Sequence, residues 1–266
     1  MHNAKNNVRV LVIASGSSGN CVFIEAGNAK VLVDIGISCK RVEAGLASIG
    51  VSPHDIDAVF VTHEHSDHIS GLPVFQKRYH KKMFATAGTL SGIGQISLLS
   101  TLCDVAAVKQ FSETVINGSH ISTFMTDHDA AEPFGLTILS GGFKVSLATD
   151  LGYVNKAAFE HLRHSNVMVF ESNYDEKMLV DGSYPWHLKK RIMGKRGHLS
   201  NADSSAALLE LNWEGLSRVY LAHISRENNT HDLARGNMQN AFRKECHVPA
   251  LITARHDMAS ECFQNF

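Results

Sequence analysis

This 266-residue chain has no long apolar run, no CxxC pair, no excess of either charge and no low-complexity tract. Each absence excludes something. Nothing approaches the roughly 18 consecutive apolar residues of a bilayer-crossing helix. The polar start, Met1-His2-Asn3-Ala4-Lys5-Asn6-Asn7, contains no apolar h-region, which predicts a cytoplasmic protein that is not secreted. Five scattered Cys, at 21, 39, 103, 246 and 262, read as reduced thiols and not as a disulfide frame or thiolate zinc site. Lys+Arg 25 against Asp+Glu 26 excludes a globally basic nucleic-acid coat, though not a local basic patch. No 20–50-residue period marks a repeat protein. What the chain has is a composition 44% hydrophobic, enough for a sizeable core, and 16 His, several clustered with Asp.

Short apolar runs alternate with turn signals. Strands are expected over 8–14, 21–26, 30–35, 57–62, 83–87, 104–108, 114–126, 134–140, 143–149, 167–171, 217–222 and near 250, with Gly27-Asn28 closing a hairpin. Helical spacing marks 38–49, a segment from Asp67, 155–163, 200–212 and 230–244. Runs of strands interrupted by helices, twice over, predict an α+β architecture. The expectation is an αββα sandwich of two mixed sheets with outer helices. It forms one domain over 1–266, with a flexible N-terminal segment at 1–7.

The strongest chemical signal is Thr62-His63-Glu64-His65-Ser66-Asp67-His68, an HxHxDH string directly after a strand. Imidazole and carboxylate suit borderline divalent metals. His63 and His65 share one side of an extended segment, and a turn into a helix redirects Asp67 and His68. Four donors in six residues exceed what one tetrahedral ion with an open position requires, so two ions are inferred. Further candidates end other apolar runs: Asp127-His128-Asp129 after 120–125, Asp150 after 145–149, and His223 after 219–222.

That order resembles the metallo-β-lactamase superfamily, whose fold is the αββα sandwich, and the resemblance covers nearly the whole chain. It implies that His63, His65 and His128 hold one ion, that Asp67, His68 and His223 hold another, and that Asp150 bridges them. Zinc and manganese, and also iron, suit such ligands; His65 stands where flavodiiron proteins need a carboxylate. Asp34, in Val31-Leu32-Val33-Asp34-Ile35-Gly36, matches an acidic position that orients ligands. Ser15-Gly16-Ser17-Ser18-Gly19-Asn20, the 127–135 segment, Phe170-Glu171-Ser172-Asn173-Tyr174-Asp175, Gly197-His198-Leu199-Ser200-Asn201 and Ala222-His223-Ile224-Ser225-Arg226 together resemble the YycJ/WalJ branch. That branch is associated with 5′-to-3′ DNA exonuclease activity.

Ribonuclease Z carries a Glu and a His in loops similar to those of Glu171 and His198. By that comparison Glu171 orients His198, and His198 is the general acid. Asp67 adds proton acceptance to its ligand role. From His128 to Asp150 is 22 residues, too few for the ribonuclease Z tRNA arm, and from Asp150 to His223 is 73, too few for a β-CASP domain. The stretch 187–198 carries five Lys/Arg and no acid, with Lys189, Lys190 and Arg191 expected to meet a polyanion. Gln76–Lys82 adds four cations and Tyr79 as a stacking ring. Ser17 and Asn20 are candidate phosphate contacts. Ser225 and Asn228 read as caps of the helix at Thr230.

The expected activity is therefore a dinuclear metal-dependent phosphodiesterase, a 5′-to-3′ exonuclease that acts on DNA in preference to RNA through a metal-bridging hydroxide. A ribonuclease, a thioester or lactone hydrolase and a non-catalytic regulatory partner are the alternatives.

Overall fold

Consecutive apolar residues in a strand point to opposite faces, so an unbroken run such as Val10-Leu11-Val12-Ile13 must be covered on both sides. The computed structural model describes residues 7–94 and 96–265 and covers it so. Val10 and Val12 join one core cluster while Leu11 and Ile13 join another. Strands β1 (Val8–Ala14), β2 (Cys21–Ala26), β3 (Ala29–Val33), β4 (Ala58–Phe60), β5 (Lys82–Thr86) and β6 (Val105–Val108) lie in one sheet. Strands β7 (Glu113–Ile116), β8 (Ser119–Met125), β9 (Phe134–Ser140), β10 (Phe143–Ala148), β11 (Val167–Glu171), β12 (Arg218–Ala222) and β13 (Ala250–Thr253) form the other. A last strand, β14 (Phe263–Asn265), returns to pair antiparallel with β1 in the first sheet. Each sheet has seven strands. Each is antiparallel in one half and parallel in the other, over β3-β4-β5-β6 and β10-β11-β12-β13.

Between the sheets, Val31 and Phe60 meet Leu136, Val145, Val169 and Tyr220 in a buried layer. Outside the first sheet pack α1 (Cys39–Ala47), α2 (Ser66–Ile69), α3 (Leu72–Tyr79), α4 (Ala87–Gly92) and α5 (Ile96–Leu102). Val42, Leu46, Leu72 and Phe75 fill that side. On the second sheet lie α6 (Lys156–Leu162), α7 (Glu176–Asp181), α8 (Trp186–Ile192), α9 (Asn201–Leu211) and α10 (His231–Ala241), with Leu208, Leu211 and Met238 against Met168 and Val219. Each such side chain, fully buried, contributes about 1.5–3 kcal/mol. The expected sandwich is the observed one. No helix among the described residues is long and apolar enough to cross a membrane.

Three expectations need correction. The stretch 114–126 is two strands, β7 and β8, joined by Asn117-Gly118 with φ of 47° and 86°, a hairpin turn that demands positive φ. The helix from Asp67 stops at Ile69 and resumes at Leu72; between them Gly71 lies so near Ile37 that a Cβ would sit 1.8 Å from the Ile37 carbonyl oxygen. Strand β14 is an addition to the expected set. The N-terminal segment expected to be flexible lies, apart from Asn7, outside the described residues.

The loop after β3 is held by close backbone contact. Gly36 donates to the Asn20 carbonyl (2.8 Å), and Asn20 donates to the Asp67 carbonyl (2.8 Å). A Cβ on Gly36 would lie 1.6 Å from that Asp67 oxygen. Gly36→Ala is expected to cost about 3 kcal/mol or more of stability, read as a lowered melting temperature; an unchanged melt would contradict this packing.

Candidate metal centre

Five of the polar residues expected at the site stand just beyond a strand's C-terminal end, where open α/β sheets bind ligands. Asp34 follows β3, His63 follows β4, His128 follows β8, Asp150 follows β10, and His223 follows β12. Three of these leave their strands in left-handed backbone conformations, Asp34 at φ 60°, Asp150 at 59° and His223 at 54°. Non-glycine residues adopt this region rarely and at a cost of the order of 1 kcal/mol, so the surrounding contacts must enforce it.

The string 63–68 and the distant residues do converge. Potential donor atoms of His63, His65 and His128 lie within 4.8 Å of one another, as do those of Asp67, His68 and His223, and those of His63, His68 and Asp150. Asp150 sits at the middle. Its Oδ2 is 3.4 Å from His68 Nε2, and its Oδ1 is 3.4 Å from His223 Nε2 and 3.8 Å from His128 Nε2.

The imidazoles share a logic. His68 Nδ1 donates to Asp34 Oδ2 (2.8 Å) and His128 Nδ1 to the Gly197 carbonyl (3.1 Å). Thr62 gives its hydroxyl proton to Asp34 Oδ2 (2.8 Å), so its oxygen is free to accept from His63 Nδ1 (3.1 Å). His223 Nδ1 lies 3.3 Å from Glu171 Oε1. Fixing Nδ1–H in this way leaves the Nε2 lone pair of each ring for a metal. Two wholly buried atoms at the centre, His63 Nε2 and Asp150 Oδ2, have no hydrogen-bond partner. A buried acceptor left so costs about 1–3 kcal/mol, and a cation is the partner that both lack. The donor set fits a divalent metal centre.

The electrostatics of the bare residues agree. Burial opposes the charge on His68, but Asp150 and Asp34 outweigh it and raise its pKa to about 10. Burial likewise opposes the charge on His223, yet Asp150, Asp67 and Glu171 hold its pKa well above the ordinary value. His63 goes the other way, pushed well down by burial and by His68. Asp150, despite its burial, is held well below the carboxylate range by His223 and His68.

Glu171 and His198 form the expected pair, Oε1 to Nδ1 at 2.6 Å, while Glu171 Oε2 accepts from the Leu151 amide (2.9 Å). Burial works against the Glu171 charge, and His198 more than compensates, so its pKa is lowered. His198, Asp67, Asp150 and His223 line a cleft of about 300 Å³, with Ser17, Tyr184, Leu188, Arg191 and Ile192 on its walls.

Several substrate contacts expected from the sequence are placed otherwise. Lys189 is buried and donates to the Val180 and Gly182 carbonyls, both at 2.7 Å, so its charge secures a loop. Lys190 is exposed outside the cleft, with its ammonium 5.9 Å over the Trp186 ring. Arg191 reaches the cleft but is paired with Asp129. Asn20 points inward, its amide 3.1 Å from Asp67 Oδ2 and 3.0 Å from His68 Nε2; it positions those residues. Ser17 alone of the small-residue loop's candidates is exposed on the cleft. The 76–82 stretch runs from the last turn of α3, where Arg78 and Tyr79 both engage Glu43, into the start of β5 at Lys82. Thr230 itself caps α10 by accepting from the Leu233 amide (3.1 Å), and Ser225 accepts instead from the Asn228 amide (3.1 Å). Sequence reasoning missed Tyr184, which lies in a loop that no local spacing reports, and named Asp129 and Asn173 within motifs without a role for either.

A family model described as a beta-lactamase superfamily domain matches residues 30–224, and the chain belongs to that superfamily. It is 35% identical over 239 residues to the exodeoxyribonuclease YycJ of Bacillus anthracis, covering 88% of this chain and 89% of that protein. It is 34% identical over 236 residues to the exodeoxyribonuclease WalJ of Streptococcus pneumoniae, covering 86% of each. The crystal structure of the metallo-beta-lactamase fold protein YhfI from Bacillus subtilis matches 98% of this chain and 100% of its own, with a TM-score of 0.75 at 17% identity. That last likeness is one of fold.

His68 supplies a pH test. A pKa raised to about 10 from roughly 6.5 unfolded stabilises the metal-free protein fully below pH ~6.5, and this contribution is lost as pH rises towards 10. Chelator-treated protein is expected to lose melting temperature between pH 7 and pH 9.5. Metal-loaded protein is expected to lose less, because a cation at His68 would stand in for that proton. Equal losses would contradict the arrangement.

Proposed function

We propose that the protein is a divalent-metal-dependent exodeoxyribonuclease, removing nucleotides from the 5′ end of DNA. The observation that carries the chemistry is the set of imidazoles whose Nδ1 atoms are tied back around Asp150, beside the His198–Glu171 pair. The choice of DNA rests on the relatives YycJ and WalJ, named as exodeoxyribonucleases.

In this reading His63, His65 and His128 hold one ion, Asp67, His68 and His223 a second, and Asp150 lies between; zinc or manganese suits the donors. When bound, the ions supply Lewis acidity to the phosphodiester and to water. The chain's own residues do the rest. Asp67, a carboxylate at the cleft surface held by Asn20, takes the proton of the attacking water. His198, oriented by Glu171, gives its Nε2 proton to the departing O3′ of the terminal nucleotide. Tyr184, Leu188 and Ile192 offer an apolar wall to a base, and stacking on such a ring contributes about 1–3 kcal/mol. Ser17, exposed on the cleft, donates to a phosphoryl oxygen. The whole chain works as one domain without an added substrate-gripping arm.

The test is nucleotide release from 5′-phosphorylated single- and double-stranded DNA, and from matched RNA, with Mn²⁺ or Zn²⁺. His198→Ala is expected to lower kcat by about 10²–10⁴-fold, and Glu171→Gln to follow it in part. His63→Ala combined with Asp150→Ala should abolish release. Release that survives the double substitution, or RNA cleaved better than DNA, would overturn the assignment.

A further inference from the structure

With Lys189 buried, Lys190 outside the cleft and Arg191 paired to Asp129, the cleft itself offers little free positive charge to a polyanion. A second cavity, of about 290 Å³, adjoins it and shares Ser225 with it. Arg226, Arg255, His231 and His256 line this cavity, and no carboxylate does. No hydrogen bond or ion pair engages the Arg226 guanidinium among the described residues, and Arg226 is exposed. Arg255 touches Asp257 (3.1 Å) at the rim, and the nearby Asp232 is turned to Arg235 (3.3 Å).

The cavity is built into the same strand ends as the metal centre. The Ser15 amide donates to the Arg255 carbonyl (2.9 Å), while Ser15 Oγ accepts from the amide of His223 (2.8 Å). One wall is the start of α10, an 11-residue helix whose amide end favours anions. There His231 Nδ1 is buried without a hydrogen-bond partner. Burial, and then Arg255, push the His231 pKa down, against the opposing pull of Asp257 and Asp232.

We propose that this cavity is a second phosphate subsite, which holds a phosphate of the same strand whose scissile phosphodiester lies in the histidine cleft. The inference rests on the nuclease reading and deepens it. The reach is suitable: the three residues from His223 to Arg226 span at most about 10 Å, so neighbouring phosphates of one strand can reach both places. The phosphate is either the 5′-terminal one or an internal one, and the chemistry of recognition is the same.

Fluorescence anisotropy tests it with metal-loaded protein and 3′-labelled single-stranded DNA whose phosphorothioate linkages keep their charge while slowing hydrolysis. Arg226→Ala with Arg255→Ala is expected to weaken binding about tenfold. The slope of log affinity against log salt should fall by about 0.7 for each phosphate that the variant no longer neutralises. The pair Arg226→Lys and Arg255→Lys should keep most of that slope, which separates lost charge from lost folding. A weakening confined to 5′-phosphorylated DNA assigns the terminal phosphate, and an equal weakening on 5′-hydroxyl DNA assigns an internal one. Unchanged affinity and slope on both, or no DNA binding by the unaltered protein, overturns the proposal. The nuclease reading fails separately, if ordinary DNA yields no nucleotide while phosphorothioate DNA still binds through these arginines.

Discussion

A buried carboxylate, Asp150, faces imidazoles delivered by both sheets, and the rest of the molecule is arranged around that fact. Taking an unpaired carboxylate out of water costs several kcal/mol. Asp150 is 3% exposed and its Oδ2 has no hydrogen bond. The arrangement is tenable because His68 comes from the first sheet and His128 and His223 from the second, with ring nitrogens 3.4 to 3.8 Å away. The two layers are thus joined at one end by charge as well as by the apolar layer between them. Left-handed backbone at Asp34, Asp150 and His223 is the local strain that this convergence requires.

Behind the donors, a further set of polar groups holds them. Asp34 accepts from the Thr62 amide (2.8 Å), the Thr62 hydroxyl and His68, so one carboxylate fixes the orientation of two rings. On the far side Asn173 donates to the His223 carbonyl (2.7 Å), Asn229 to the Asn173 carbonyl (3.0 Å), and Asn201 to Asn229 (3.0 Å). This buried chain of amides locks the turn after β11 to the start of α9. It therefore sets where Glu171 and His198 can stand. Fully satisfied networks of this kind rigidify a site.

Much of this was legible in the sequence, and the rest fails for identifiable reasons. The donors 63–68 are close in sequence and could be read as a string. Asp150 and His223 could be read because each ends an apolar run, and strand ends are where such sites form. Lys189 could not. Its neighbours promise a basic surface, but its place on α8 turns it inward to the Val180 and Gly182 carbonyls. Asn20 likewise looks like a loop tip, yet tertiary contact with Asp67 and His68 claims its amide. Asn117-Gly118 was an available hairpin signal overrun by the alternation around it. Strand β14 is short and has no pattern of its own; it exists because β1 offers an edge.

A cleft with a proton-transfer pair on one side, an apolar wall on another and a cationic cavity beyond its Ser225 edge is shaped for a chain of phosphates. All of it depends on cations between the two histidine groups. An anomalous-scattering crystal structure of protein loaded with manganese or zinc examines that directly. The account predicts two peaks, one bonded at about 2.0–2.2 Å to Nε2 of His63, His65 and His128, the other to Asp67 and to Nε2 of His68 and His223, with Asp150 touching both. A single peak, or ions bound away from these nitrogens, would contradict it.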